Sequence, residues 1–485
     1  MNGVDMLRNF RCFLVTALAL GLAACGGDDG GNSAGPPPSA PVATAPQFTS
    51  ATSASVRENR ADNFYTASAS DPQNDPVTLS ISGGPDADRF VLGSDGGLRF
   101  NTPPNYDLPG DANLDNIYEV TLRATAGGEA VFLNLVVTVS NDREGIVVKR
   151  VVSGIGETVD MAFIHNQTEL LVADRNGRVL KVNPDTGSVV EDTFVRDNRV
   201  PGEILAVAWA FPDEVYQEGV YIVTHSPTEG LWLQGFNAAR GRMMKVRLGD
   251  PWSARITASL VSQGELYIAI GDSTGANAQN SASPYGKLYR IGPYCVYCGA
   301  SVPLSGRLVG TPQLWGDGIQ NPGGFSVESD YLHLADRGSQ SFHELTRFRR
   351  DWQPLDFGWP FYEGASALSA NPPAAVNGPS IVYRIGSGRA EGTGITAGIL
   401  NDGNFLEELG QSYVFGDVRG AVFTVNRLAL SDGKLHGGSE MENRTLDFAP
   451  DAGALGSVVA FAKGRGTDHF FVLDADGEIF RVSGS

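Results

Sequence analysis

Residues 315–364 read WGDGIQNPGGFSVESDYLHLADRGSQSFHELTRFRRDWQPLDFGWPFYEG. Within them Tyr331-Leu-His-Leu-Ala-Asp-Arg-Gly-Ser is an apolar strand that runs into an acidic turn with glycine, and a second strand follows. Asp and Gly are the residues that let a strand reverse, one through its side-chain acceptor and the other through its backbone freedom. The same unit recurs as Glu169-LLVADRNGRVLKVN, Gly219-VYIVTHS, Glu265-LYIAIGDSTG, Ser412-YVFGDVRGAVFTVN and His469-FFVLDADGEIFRVSG. Six copies across residues 145–485 give a period of about 57 residues, long enough for a four-stranded blade with inserted loops. A blade buries its faces only against its neighbours, so the set must close into a ring, and a six-bladed β-propeller is expected.

Composition agrees with an all-β class. The chain has 485 residues, 42% of them hydrophobic, with 60 Gly and 27 Pro to terminate many short strands. Its net charge of -19 and the absence of clustered Lys/Arg exclude nucleic acid as a partner, while an acidic surface favours solubility and calcium. Six His in the whole chain argue against a histidine-rich metal site, and no phosphate-binding glycine loop, G-x-S-x-G elbow or H-E-x-x-H helix is present.

Residues 1–25 read as an export signal: Arg8 and Arg11 are basic, Phe13 to Leu22 form an apolar core, and Leu22-Ala-Ala-Cys25 follows. The apolar run is too short to span a bilayer. Leu-Ala-Ala-Cys in this position resembles the bacterial lipobox, which implies lipid on Cys25 and a membrane-anchored protein of the cell envelope, facing periplasm or exterior. The signal carries a net +1, so its removal leaves about -20. Residues 26–45, GGDDGGNSAGPPPSAPVATA, are a tether, flexible where Gly and Ser dominate and stiffer through its prolines. An oxidising compartment favours a local disulfide between Cys295 and Cys298 over a metal site.

Residues 46–142 have the pattern of a β-sandwich, with strands at Val77-Thr-Leu-Ser-Ile, Tyr118-Glu-Val-Thr-Leu-Arg-Ala and Val131-Phe-Leu-Asn-Leu-Val-Val-Thr-Val, and acids gathered at strand ends. The Glu58-Asn59 pair, the S-D-P…D-P-V-T-L-S-I-S-G-G run and N-Y-D-x-P-G-D-x-N-x-D-N-x-Y-E-V-T-L-R-A resemble a bacterial cadherin-like repeat. The resemblance implies calcium: Glu58, Asp107, Asn141 and Asp142 as a half-site at the exit toward the next domain, and Asp71 at the opposite end. Gln73 departs from it, standing where that family has a second acid.

Across residues 145–485 several ordered segments resemble the glucose/sorbosone dehydrogenase family, the soluble quinoprotein sugar dehydrogenases that use pyrroloquinoline quinone and calcium. They include Glu203-Ile-Leu-Ala-Val-Ala-Trp-Ala-Phe-Pro-Asp, Gly264-Glu-Leu-Tyr-Ile-Ala-Ile-Gly-Asp, Gly318-Ile-Gln-Asn-Pro, Ala335-Asp-Arg-Gly and Phe357-Gly-Trp-Pro-Phe-Tyr-Glu-Gly. The resemblance implies hydride transfer from a sugar to the quinone, with a His base, an Arg on the quinone and backbone carbonyls on calcium. The expected His position is Ser253, a poor proton acceptor without a neighbouring base. The expected Arg is Gln320, followed by a retained Asn321; Gly338 and Ser339 match the carbonyl positions, and His343 stands where the family has an acid. His225 is a candidate substitute base, and Arg337, Arg389 and Arg419 are candidate cations for an acidic ligand. Two readings follow: a divergent propeller that binds a glycan, sugar or cell-surface protein, or a quinone-dependent dehydrogenase of an aldose or related alcohol.

Overall fold

The computed structural model describes residues 43–164, 168–210, 219–252, 256–262, 265–291, 312–372, 377–401, 406–431, 433–464 and 468–485. Cys25, Ser253, Cys295 and Cys298, with the whole signal and most of the tether, lie outside the described residues. Among the described residues no helix is long and apolar enough to cross a membrane.

The N-terminal part is a sandwich. One sheet runs Ser53–Arg57, Glu129–Ser140, Ile117–Ala126, Thr78–Gly83, and the first of these pairs parallel to the second, Ser53 opposite Val136 and Arg57 opposite Ser140. Along Ile117–Ala126 every second residue from Tyr118 to Ala126 is buried, as a strand with one wet face requires. The buried side packs on a second sheet made of Tyr65–Thr66, Gly97–Phe100 and Phe90–Leu92. Phe90, Phe100 and Tyr118 meet there, with the Phe90 and Phe100 rings 4.6 Å apart and Tyr118 edge-on to Phe100 at 5.0 Å.

From Ile146 the chain builds six blades, four of them four-stranded and the third and fourth carrying a short fifth strand, Leu355–Asp356 and Glu391–Gly392. Their inner strands are Thr158–Phe163, Glu203–Ala210, Ala258–Ser262, Pro322–Glu328, Ile395–Leu400 and Val458–Lys463. Each packs on the next, and that of blade 6 packs on that of blade 1, which closes the ring. Ile146–Val152, the first strand after the sandwich, is the outermost strand of blade 6, antiparallel to Ile479–Gly484 with Val148 opposite Val482. Blade 6 is thereby completed by a strand from the start of the propeller, which fastens the two ends of the ring together.

The second strand of each blade is the unit legible in the sequence: Leu170–Asp174, Gly219–Ser226, Leu266–Ile270, Tyr331–Asp336, Ser412–Asp417 and His469–Asp474. These strands are covered on both faces, so they read as continuous apolar runs rather than alternations. Each propeller core cluster accordingly lies between two adjacent blades, for example Val223, Leu233 and Ile268 between blades 2 and 3, and Tyr383, Phe415 and Phe423 between blades 4 and 5.

Candidate functional site

The six inner strands surround an axial cavity of about 580 Å³, bordered by Asp160, Arg175, Glu203, Trp209 and Arg337. Asp160 ties blade 1 to blade 2: its Oδ2 accepts the Val207 N–H at 2.8 Å. Burial pushes its carboxyl up to about 7, against the pull of two backbone N–H groups.

At one face of the ring the second strands end in carboxylates that staple the turn after them. In four blades the register puts an Asp opposite the first residue of the inner strand: Asp174 opposite Thr158, Asp336 opposite Pro322, Asp417 opposite Ile395 and Asp474 opposite Val458. Asp336 accepts from the Gln320 and Asn321 N–H groups, and Asp417 from Thr393 and Gly394. Asp336, Asp417 and, through the Gly456 N–H, Asp474 thus satisfy backbone donors of the strand-entry loop, which would otherwise be orphaned at a buried corner, whereas Asp174 accepts from the Arg178 N–H of the turn that follows it. Blade 2 departs: opposite Glu203 stands His225. Its ring is 8% exposed, its Nε2 has no partner, and burial lowers its pKa, opposed by the Trp252 carbonyl and Glu203. A neutral imidazole with an open Nε2 is the form a base needs.

The other residues expected at the site are held within blades 4 and 5. Gln320 is 4% exposed and its amide donates to Ser339 Oγ at 2.7 Å. Asn321 gives its carbonyl to the Arg337 N–H at 2.9 Å. Arg337 donates through Nε to the Ile395 carbonyl at 2.8 Å and through Nη2 to Thr396 Oγ1 at 3.2 Å, linking blades 4 and 5. Gly338 has no room for a Cβ, which would strike the Phe342 carbonyl and the Glu363 carboxylate. Arg419 donates to the Gly388 carbonyl at 2.9 Å. His343 is 1% exposed and lies against Tyr383, ring centroids 5.1 Å apart, with burial lowering its pKa. The Phe357–Tyr362 run packs over the loop of blade 3, where Trp359 Nε1 donates to the Asp272 carbonyl at 2.8 Å.

Below the Arg337–Ser341 turn lie three carboxylates that the sequence did not single out as a group. Glu363, 1% exposed, accepts from the Gln340, Ser341 and Phe342 N–H groups. Asp336 is pushed up to about 6 and Glu344 to about 8, in both cases chiefly by burial. A pyrroloquinoline quinone is a polycarboxylate and needs cations or free donors around it. Here the position expected to carry a guanidinium is a neutral amide already bonded, and Arg337 and Arg419 each hold a backbone carbonyl. These residues do not fit that cofactor.

Glu344 supplies a pH test. Its folded pKa stands above its ordinary 4.5, so between about 4.5 and 8 the folded state holds a proton that the unfolded chain has released, and stability falls as pH rises. Glu344→Gln keeps an acceptor for the Gly364 N–H and removes the titration. Urea unfolding at pH 5 and pH 8 should show the variant gaining on the order of a few kcal/mol over wild type at pH 8 only.

A second concentration of charge lies where the sandwich meets the propeller. Asp107 is 1% exposed and Asp447, on the loop before blade 6, is 0% exposed. Carboxylate oxygens of Asp107, Glu144 and Asp447 all fall within 4.8 Å of one another. Arg444 Nη1 lies 3.2 Å from both Asp107 Oδ2 and Asp447 Oδ2, pairs with Glu144, and its Nη2 meets Glu442 at 2.9 Å. Burial holds Asp107 well above the ordinary carboxylate range, against the pull of Arg444. Glu58 scaffolds this corner, its Oε1 accepting from the Asp142 N–H and its Oε2 from the Tyr106 N–H, both at 2.7 Å. Asn141 donates to Asp447 Oδ1 at 2.7 Å and leaves its own Oδ1 unpartnered. The Asp142 side chain faces solvent toward Arg57, and Asp71 staples a separate turn at the Gln73 and Asp75 N–H groups. Arg389, considered as a ligand cation, instead donates to the Asp107 carbonyl at 2.5 Å. Glu144, Arg444 and Asp447 escaped the sequence reading, although Glu144 follows Asn141-Asp142 by two residues.

No family profile matches the chain, and no curated protein matches it. Among solved structures it is similar to the soluble aldose sugar dehydrogenase of Escherichia coli in its apo-form, at 16% identity and TM-score 0.50, covering 70% of this chain and 100% of that one. A glucose dehydrogenase covers the same 70% of this chain and 100% of its own at 19% identity and TM-score 0.48. The PQQ domain of a pyranose dehydrogenase from Coprinopsis cinerea covers 70% of this chain and 95% of its own at 11% identity and TM-score 0.43. At such identities the likeness is one of fold. In fold, the larger part of this chain is a sugar dehydrogenase-like β-propeller.

Proposed function

We propose that this protein is a lipid-anchored component of the bacterial cell envelope whose propeller binds a glycan or cell-surface protein without redox chemistry, carried on a cadherin-like, calcium-binding sandwich. The observation that carries the non-redox reading is Gln320: a neutral side chain, buried and bonded to Ser339 Oγ, where quinone chemistry calls for a cation. For the sandwich, support comes from the convergence of Glu58, Asp107 and Asn141 on one corner. The anchor rests on Leu22-Ala-Ala-Cys25, and Cys25→Ser should move the protein from the membrane to the soluble fraction.

The second reading, oxidation of an aldose, is favoured by one observation, the unpartnered Nε2 of His225. A single experiment separates the two. Purified protein is titrated with pyrroloquinoline quinone in millimolar calcium, and dye reduction is followed over a panel of aldoses. No cofactor binding at micromolar concentration and no turnover are expected. Turnover that disappears in His225→Ala would overturn the binding reading and identify the base.

A further inference from the structure

We propose that the axial cavity of the propeller is a binding site for an organic ammonium ion with an apolar body, the charged head on Asp160 and the body among four aromatic rings. The site lies along the axis, below the strand-entry face, and is independent of what that face binds.

Asp160 belongs to the inner strand of blade 1, beside the bulge that shifts the register between Thr158 and Asp160. A bulge re-aims the side chains next to it, and Asp160 lines the cavity. Its carboxylate is engaged by backbone alone: Oδ1 accepts from the Met161 N–H and Oδ2 from the Val207 N–H, both at 2.8 Å. Its pKa, about 7, answers to burial and to these two bonds, and no charged side chain contributes. The charges that border the cavity lie at its ends. Arg175 pairs with Glu157 at 3.1 Å and Glu203 at 3.5 Å, and Arg337 holds the Ile395 carbonyl and Thr396. Both arginines directly follow second strands, which places them at the strand-entry face, whereas Lys463 ends the inner strand of blade 6 at the other mouth. A buried carboxylate with no counter-charge is costly to ionise, and a cation that can reach it relieves that cost.

The rings supply the rest of the site. Phe163, Trp209, Phe325 and Phe461 come from the inner strands of blades 1, 2, 4 and 6, and each keeps an accessible part on the cavity. Phe163 is three residues beyond Asp160, and Trp209 two beyond the Val207 that bonds to it, an offset along the axis of roughly 7–10 Å at the rise of a strand. Aromatic faces attract cations, most strongly where water is excluded, and they also pack well against an aryl or alkyl body. A cavity of about 580 Å³ has room for one such molecule. An anionic ligand is opposed by Asp160, and a neutral one leaves its charge unbalanced. The ammonium ion answers both the acid and the rings.

The test is isothermal titration of the full chain at pH 7 with phenylpropylammonium, phenylpropanol and phenylpropionate, which share a ring and differ in charge. The ammonium should bind, and the other two should bind at least roughly 10-fold more weakly. Asp160→Asn should weaken ammonium binding by roughly 30-fold, and Phe461→Leu by several-fold. Since Asp160 is about half protonated at pH 7 in the free protein, binding should release roughly half a proton, measured by repeating the titration in buffers of different ionisation enthalpy. Equal affinity for the three compounds, or no binding of the ammonium at millimolar concentration, would overturn the proposal. Ammonium affinity unchanged in both variants would overturn it as well, because the ligand then lies outside the cavity. If circular dichroism shows that Asp160→Asn fails to fold, Phe461→Leu and proton release by wild type decide, and binding without proton release rejects the role of Asp160.

Discussion

Replacing Arg444 by methionine in calcium-free buffer at pH 7.5 is expected to cost the full chain roughly 3–5 kcal/mol, the penalty of removing one partner from a buried ionic cluster. The side chain is 9% exposed and meets four carboxylates. Burial works against the charged guanidinium, yet Glu442 and Asp107 more than offset it and hold Arg444 above its ordinary range. Methionine fills a similar volume but leaves Asp107, Asp447 and Glu442 with no cation, and neutralising them then requires protons. The deficit should therefore shrink as pH falls from 7.5 toward 5, because the orphaned acids bind protons in the folded state that the unfolded chain has released. Urea unfolding at the two pH values checks it. A loss below about 1 kcal/mol at pH 7.5 would show that the cluster is hydrated and behaves as a surface ion pair.

That cluster marks the limit of what the sequence discloses. The six second strands were legible because burial on both faces writes itself as an unbroken apolar run ending in Asp or a polar turn, a local signal. The sandwich strands were legible from strict alternation at Ile117–Ala126. On the sandwich side, Asp107 and Glu58 could be singled out by resemblance. Their partner Asp447 could not, because it is 306 residues beyond Asn141, in a loop with no motif of its own. Only the closed ring returns that loop to the sandwich. The propeller face shows a different limit. Gln320 was visible as a missing charge, but its bond to Ser339 depends on a side-chain direction that no spacing encodes. His225 could be singled out in the sequence as a candidate base, but its place opposite Glu203, where four other blades have Asp, depends on the register.

Val148→Asp should prevent the propeller from closing. Val148 is 2% exposed, opposite Val482, and packs in the cluster between blades 5 and 6 with Val414, Phe470 and Phe480. A carboxylate there has no cation within its cluster, and an unpaired buried charge costs more than 4 kcal/mol, a large share of the 5–15 kcal/mol that holds a typical domain together. The expected result is loss of the cooperative thermal transition of the propeller and sensitivity to protease. Val148→Ala, which removes only two methyl groups, should lower stability by about 2 kcal/mol and leave the protein folded. The difference between the two variants separates charge burial from simple cavity formation. The effect should also reach the sandwich. Val148 gives its carbonyl to the Asp451 N–H at 3.0 Å, and the Arg150 N–H donates to Asp451 Oδ1 at 2.9 Å, so the closing strand is fastened to the same 444–451 segment that receives Asn141 and Arg143. Ring closure and seating of the sandwich are then one structural event. In Val148→Asp the sandwich keeps its own core of Leu98, Phe100, Leu122 and Leu135 but loses its Asp447 contact, so the backbone amides of residues 141–145 should exchange rapidly with solvent while those of Ile117–Ala126 stay protected. Continued protection of residues 141–145 in a chain whose propeller has unfolded would show that the two events are independent.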